Sequence, residues 1–251
     1  MASLTFIGHA TALLEYRDVR LLTDPVLRGR LSLLRRVVPP VPAASYADVD
    51  VVLLSHLHHD HCDLPSLARL APEPTIVVPA GGAAFLRRRG FTKVVAVRPG
   101  DTHSAGPVTL TVTPALHDGR RTPFGPRAEA VGYLITTADT ATYFAGDTDL
   151  FAGMRDLAEG LDLALLPVWG WGPNLGPGHL DPERAADAVA LLRPHRAVPI
   201  HWGTLFPYGL ERLYAHRLRE PAAAFADAVA ARRLSTEVDI LNPGGELVWQ
   251  R

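Results

Sequence analysis

The stretch Asp50-Val51-Val52-Leu53-Leu54-Ser55, followed at once by His56-Leu57-His58-His59-Asp60-His61, constrains this chain more than any other. A continuous apolar run of that length reads as a strand buried on both faces. The four imidazoles and the carboxylate therefore stand where a buried strand gives way to a helix start. Residues two apart on an extended backbone point to the same side, so His56 and His58 share one position. Asp60 and His61 arrive as the chain turns and face a second. Imidazole and carboxylate are ligands that Zn²⁺ favours, and neighbouring imidazoles resist being protonated together. The cluster predicts a metal site.

These donors cannot complete two metal positions by themselves, so further ligands are expected at other strand ends. His117 follows Val112-Thr113-Pro114-Ala115-Leu116, Asp147 follows Tyr143-Phe144-Ala145-Gly146, and His201 follows Val198-Pro199-Ile200. Each is the first plausible ligand after an apolar run, the placement already seen at His56.

The remaining pattern supports a layered fold. Strands are predicted over 4–7, 12–16 and 19–23, with a hairpin at Arg17-Asp18. Leu27 to Ser45 carries many Arg and Pro residues and reads as an irregular surface excursion. Asp63 is a predicted N-cap for a helix over 64–70. Strands and helices then alternate: strands over 75–78, 93–97, 108–112, 130–136, 142–145, 163–166 and 197–200; helices over 82–89, 150–158 and 182–192. The last of these has Asp181 as N-cap and Pro182 in its first turn. Helix is expected over much of 210–233, interrupted at Pro221, and Leu-Val-Trp near the end reads as a strand. Pro167 to Pro182, rich in Gly, Pro and Trp, reads as a loop. No linker divides residues 1–251, so two β-rich halves meeting face to face with helices outside, in one domain, is the expected architecture. A doubly wound parallel sheet fits less well, given the opening hairpin and the lack of a Gly-rich phosphate loop.

The ligand set resembles the metallo-β-lactamase superfamily, whose signature His-x-His-x-Asp-His stands here as His56, His58, Asp60 and His61. Asp24 in Leu22-Thr23-Asp24-Pro25 and the later His117, Asp147 and His201 follow that family's order. The resemblance implies an α+β fold, a four-layer αβ/βα sandwich with the metals at one edge of its two sheets. It also implies that His56, His58 and His117 hold one metal, that Asp60, His61 and His201 hold the other, and that Asp147 bridges them. Asp24 would support the His-rich loop by hydrogen bonds, and His9 would stand close behind the metals. Gly8-His9-Ala10-Thr11, Ala115-Leu116-His117 and Pro199-Ile200-His201-Trp202-Gly203-Thr204 are similar to the branch containing N-acyl-phosphatidylethanolamine phospholipase D and ascorbate-6-phosphate lactonase.

The function implied is hydrolysis of a small phosphodiester, lactone or ester by a metal-bridging hydroxide, with Asp60 orienting it or shuttling a proton. Two divalent ions are expected, zinc first, with Mn²⁺ or Fe²⁺ compatible with an all-His/Asp site. Arg120 and Arg121, shortly after His117, are candidates to grip an anionic group. Trp169 and Trp171 are candidate walls of the cleft, and His179 a candidate acid or hydrogen-bond donor. The alternative is a catalytically idle metal-binding or ligand-sensing protein on the same fold, which the complete ligand set argues against.

Composition narrows the partners. A net charge of −1 gives no general drive toward nucleic acid or an anionic membrane. Cys62 is the single cysteine, which excludes an intrachain disulfide and a Cys-based zinc site. No run is long enough to span a membrane and no secretory signal is evident. A cytoplasmic protein acting on a small-molecule substrate is expected, and a homo-oligomer is compatible with this reading.

Overall fold

Apolar runs separated by turn residues break the first half of the chain into short strands. The computed structural model describes residues 2–157 and 159–250. It opens with β1 (Ala2–Gly8), β2 (Thr11–Tyr16) and β3 (Val19–Thr23), followed by β4 (Arg30–Leu31) and β5 (Leu34–Arg36). The chain continues through β6 (Val51–Leu53), α1 (Leu64–Leu67), β7 (Thr75–Pro79), α2 (Ala80–Arg87) and β8 (Val94–Val97). The second half begins with β9 (Thr102–Ala105), β10 (Val108–Pro114), β11 (Val131–Thr136) and β12 (Ala141–Phe144). Then come β13 (Leu163–Pro167), α3 (Pro182–Leu192), β14 (Arg196–Ile200) and β15 (Leu205–Pro207). The chain closes with α4 (Glu220–Ala231), β16 (Glu237–Val238) and β17 (Glu246–Trp249).

Two seven-stranded sheets result, in the orders β17-β1-β2-β3-β6-β7-β8 and β16-β14-β13-β12-β11-β10-β9. The inner faces meet in one core, where Leu4, Phe6, Leu14 and Leu53 of the first sheet join Tyr133, Phe144, Leu165 and Val198 of the second. The outer face of the first sheet packs on α1 and α2 through Leu54, Leu67, Ile76 and Leu86. The outer face of the second packs on α3 and α4 through Leu166, Val189, Phe225 and Val229. This is the expected αβ/βα sandwich. Among the described residues no helix is long and apolar enough to cross a membrane.

The capping signals act as expected. Asp63 accepts from Ser66 N at 3.2 Å, and Asp181 accepts from Arg184 N at 2.8 Å. Five segments depart from expectation. The excursion after Leu27 is not wholly irregular, because β4 pairs with β5 and β5 with β15 in a three-stranded sheet. Strands of two and three residues are too short for their periodicity to show in sequence. The helix expected over 150–158 is a 3-10 helix at Ala152–Leu157, where Gly153 weakens helical propensity; position 158 lies outside the described residues. Over 210–233, α-helix is confined to Glu220–Ala231, after turns and a 3-10 segment at Ala215–Leu218. Pro221 does not interrupt that helix but stands in its first turn, where its missing N–H removes no bond. The edge strands β9 and β16 were not anticipated.

One buried hydrogen bond ties the two sheets beside the His-rich loop. Tyr133 Oη on β11 donates to Leu54 O, just past β6, at 2.7 Å. Tyr133→Phe leaves that carbonyl without this donor in a closed core. The variant is expected to lose about 1–2 kcal/mol of stability, read as a lower urea midpoint with an unchanged slope.

Candidate metal centre

Strand direction gathers the candidate ligands. In the first sheet β1, β3 and β6 run the same way, so His9, Asp24 and the 56–61 segment emerge at one edge. In the second sheet β10, β12, β13 and β14 do likewise, delivering His117, Asp147, Trp169 and His201. Two backbone features let the loops meet. Gly146 adopts φ +60°, and a Cβ added there would lie 2.4 Å from Ser55 Cβ, so only glycine lets the Asp147 turn approach the His-rich loop. His9 and His201 hold left-handed φ values of 58° and 63°, a strain that surrounding contacts must fix. His201 N donates to His9 O at 2.8 Å, and His9 N donates to Thr204 Oγ1 at 2.8 Å.

The side chains converge in two sets. His56 Nε2 lies 3.0 Å from His58 Nδ1, and His117 Nε2 lies 3.2 Å from the same atom. In the other set, His61 Nε2 and His201 Nε2 are 3.0 Å apart, and Asp60 Oδ2 is 3.6 Å from each. Asp147 Oδ2 lies 3.2 Å from His61 Nε2 and 3.3 Å from His201 Nε2. Its Oδ1 is buried without a hydrogen-bond partner among the described residues.

Four of these imidazoles have their outward nitrogen engaged. His61 Nδ1 donates to Asp24 Oδ2 at 2.7 Å, His117 Nδ1 to Gly178 O at 2.8 Å, and His201 Nδ1 to Trp169 O at 2.8 Å. His56 Nδ1 donates to Ser55 Oγ at 2.9 Å, and Ser55 Oγ donates onward to Asp24 Oδ2 at 2.5 Å. Asp24 also accepts from Ser55 N at 2.8 Å. With the outward nitrogens protonated, His56 and His117 present Nε2 lone pairs to the centre, the arrangement metal-ligating histidines require. His9 Nε2 meets Asp60 Oδ2 at 3.0 Å, so His9 holds Asp60 from behind.

Charge completes the test of whether a metal fits. Burial pushes His56 down and takes His117 to about 4, so both are neutral donors at neutral pH. Burial works against ionisation of Asp60 and Asp147, but the imidazoles of His61 and His201 outweigh it and hold both carboxyls well below the usual range. Burial also opposes charge on His61, yet Asp147, Asp60 and Asp24 together raise it well above an ordinary imidazole. A buried proton on His61 thus answers three carboxylates, and a divalent cation is the natural replacement for it. Cys62 contributes nothing, because burial pushes its thiol up to about 12.

The other predicted residues fall in different places. His179 lines the cleft above the centre, with Nε2 3.4 Å from Asp147 Oδ2. Trp171 lines the same cleft. Trp169 is buried; its indole donates to Gly172 O at 3.1 Å and Arg217 covers its ring at 4.6 Å. Arg120 is exposed and donates to Pro123 O at 3.2 Å. Arg121 borders the cleft, but its Nη1 donates to both Leu57 O and Cys62 O at 2.8 Å. Its guanidinium therefore clamps the two ends of the His-rich loop. Sequence reasoning missed the supporting hydroxyls of Ser55 and Thr204, and it missed Leu31, Leu33 and Leu34 as cleft-lining residues. A Leu-Ser-Leu-Leu island within an Arg- and Pro-rich stretch was the available signal for the latter.

The model of the beta-lactamase superfamily domain matches residues 19–202, a span that holds Asp24 and all seven candidate ligands. The chain belongs to the metallo-β-lactamase superfamily. It is a metal-dependent hydrolase of that superfamily. It is 34% identical to a UPF0173 metal-dependent hydrolase of Desulforamulus reducens, over 96% of this chain and 97% of the relative. It is 25% identical to N-acyl-phosphatidylethanolamine-hydrolyzing phospholipase D 1 of Caenorhabditis elegans, over 98% of this chain and 75% of that protein. Among solved structures, the metallo hydrolase Igni18 of Ignicoccus hospitalis superposes with a TM-score of 0.76 at 25% identity, covering 98% of this chain and 97% of its own.

Two substitutions that leave every candidate ligand intact test this geometry. Gly146→Ala drives a methyl group into Ser55 and is expected to displace Asp147. Arg121→Met removes the clamp while keeping the side chain's bulk against Phe85. Each should weaken metal binding by about 10–100-fold, measured by competition with a chromophoric chelator.

Proposed function

We propose that this centre holds two divalent cations, zinc first among them, and that the protein hydrolyses a small ester, lactone or phosphodiester. The observation carrying this reading is Asp147, set against His61 and His201 through Oδ2 while its other oxygen is buried and unpartnered. His56, His58 and His117 would hold one ion and Asp60, His61 and His201 the other, with Asp147 shared. Mn²⁺ and Fe²⁺ also suit such an all-imidazole and carboxylate set.

When bound, the pair supplies Lewis acidity and a hydroxide nucleophile at neutral pH. The chain's own groups supply the rest. His9 fixes the orientation of Asp60 through their 3.0 Å contact, so Asp60 can orient the nucleophile or shuttle a proton. Ser55 and Asp24 hold His56 and His61, respectively, in their ligating tautomers. His179, at the cleft wall, is placed to hand a proton to the departing oxygen. Hydrolysis then adds one water across the scissile bond, leaving an acid and an alcohol. Similarity to the phospholipase D supports the phosphodiester class.

Elemental analysis and a panel of phosphodiesters, lactones and esters on one preparation test the proposal together. Two equivalents of metal and turnover on one of these classes are expected. His58→Ala and Asp147→Ala should each lose metal and lower turnover by about a hundredfold or more. Full metal content with no turnover on the panel would favour an idle metal-binding protein. Full metal and activity in either variant would overturn the ligand assignment.

A further inference from the structure

The cleft over the centre has a volume of about 630 Å³, the size of a small-molecule site. Its chemistry is uneven. The floor is polar, with His58, Asp60, Asp147 and His179. The walls are mostly carbon, with Leu31, Leu33 and Leu34 on the β4–β5 hairpin and Trp171 and Leu175 on the loop after β13, and Ser32 and Asn174 as neutral polar side chains among them. Among the described lining residues Arg121 is the one guanidinium, and there is no ammonium. That guanidinium is committed to Leu57 O, Cys62 O and His59. Among the described lining residues no guanidinium or ammonium is therefore free to pair with a second anionic group on a substrate.

The hairpin is built to present apolar surface. Leu31 and Leu34 are anchored on Val26 and Leu205 in a small separate cluster, and β5 pairs with β15. Ser32 takes a left-handed φ of 51° at the turn, and Tyr208 N donates to Leu33 O at 3.0 Å. With its backbone held this way, Leu33 projects with 79% of its surface exposed. Trp171 is also left partly in solvent, at 41%. Fixed apolar side chains open to water inside a cleft mark a surface that a ligand covers.

We propose that the cleft takes a soluble, otherwise uncharged carboxylic ester or lactone whose acyl chain is aliphatic and of medium length. The chain lies along the Leu33 hairpin and Trp171, with the carbonyl over the polar floor. This rests on the hydrolase reading above and narrows it, away from phosphorylated or multiply charged substrates.

Two measurements keep the proposal and the hydrolase reading apart. In the first, metal-free protein is titrated with butanamide and octanamide, following tryptophan fluorescence. Octanamide is expected to bind at least about tenfold tighter, Leu33→Glu to abolish that difference, and Leu33→Met to preserve it. In the second, the metal-loaded protein is given p-nitrophenyl acetate, butyrate and octanoate below the micelle threshold of the longest. Here kcat/KM is expected to rise at least about tenfold from acetate to octanoate, with the rise lost in Leu33→Glu and kept in Leu33→Met. Absence of all turnover with chain-length-dependent amide binding would sink the hydrolase reading and leave the aliphatic subsite standing. Equal binding of the two amides, turnover independent of chain length, a preference unmoved by Leu33→Glu, or turnover of octanoate only above its micelle threshold would overturn the subsite.

Discussion

Three carboxylates, Asp24, Asp60 and Asp147, are buried around His61 at the edge where the two sheets meet. Isolated charges of this kind are costly to remove from water, and they persist only when paired or coordinated. Here the surrounding imidazoles answer them. His61 stands between all three, held to Asp24 through one nitrogen and facing Asp60 and Asp147 through the other. The arrangement asks for positive charge, and the protein can supply it with one proton or with metal. Much of the local architecture follows from holding that demand in place, including the left-handed His9 and His201 and the glycine at position 146.

The sandwich is what makes such a concentration of charge possible. Neither sheet alone owns a complete ligand set: His56, His58, Asp60 and His61 come from the first, and His117, Asp147 and His201 from the second. The contacts joining the halves nearby are correspondingly specific. Tyr133 reaches from β11 to Leu54 O, Val131 N donates to Ser55 O at 2.9 Å, and Arg121 reaches across to Leu57 and Cys62. All three act on the segment between β6 and α1. The loop bearing the most ligands is therefore held from the second half of the chain as well as by its own strand.

The candidate ligands are legible in sequence because His56, His117, Asp147 and His201 each follow an apolar run, with His58, Asp60 and His61 close behind the first, and a strand buried on both faces leaves little freedom over where its end must lie. The four layers followed from the same alternation of runs and breaks. What stayed hidden depends on direction rather than residue type. The spacing of Arg120 and Arg121 from His117 places them near the centre, but only the three-dimensional path shows that Arg121 faces backbone carbonyls and Arg120 faces outward. Trp169 and Trp171 sit two apart on a loop without periodicity; one is buried under Arg217 and the other lines the cleft. The β4–β5 hairpin was invisible for a different reason. Its strands are two and three residues long, and its pairing partner β15 lies far along the chain.

That hairpin shows how one fold can separate reactivity from selectivity. The candidate ligands follow buried strands inside the two main sheets, where packing leaves them little room to change. The β4–β5–β15 sheet hangs on a cluster of four residues, Val26, Leu31, Leu34 and Leu205, outside the main cores. Changes at its tip, Ser32 and Leu33, touch neither the ligands nor the hydrogen bonds that orient them. A chain built this way can alter what reaches the centre while leaving intact the buried charges that create it.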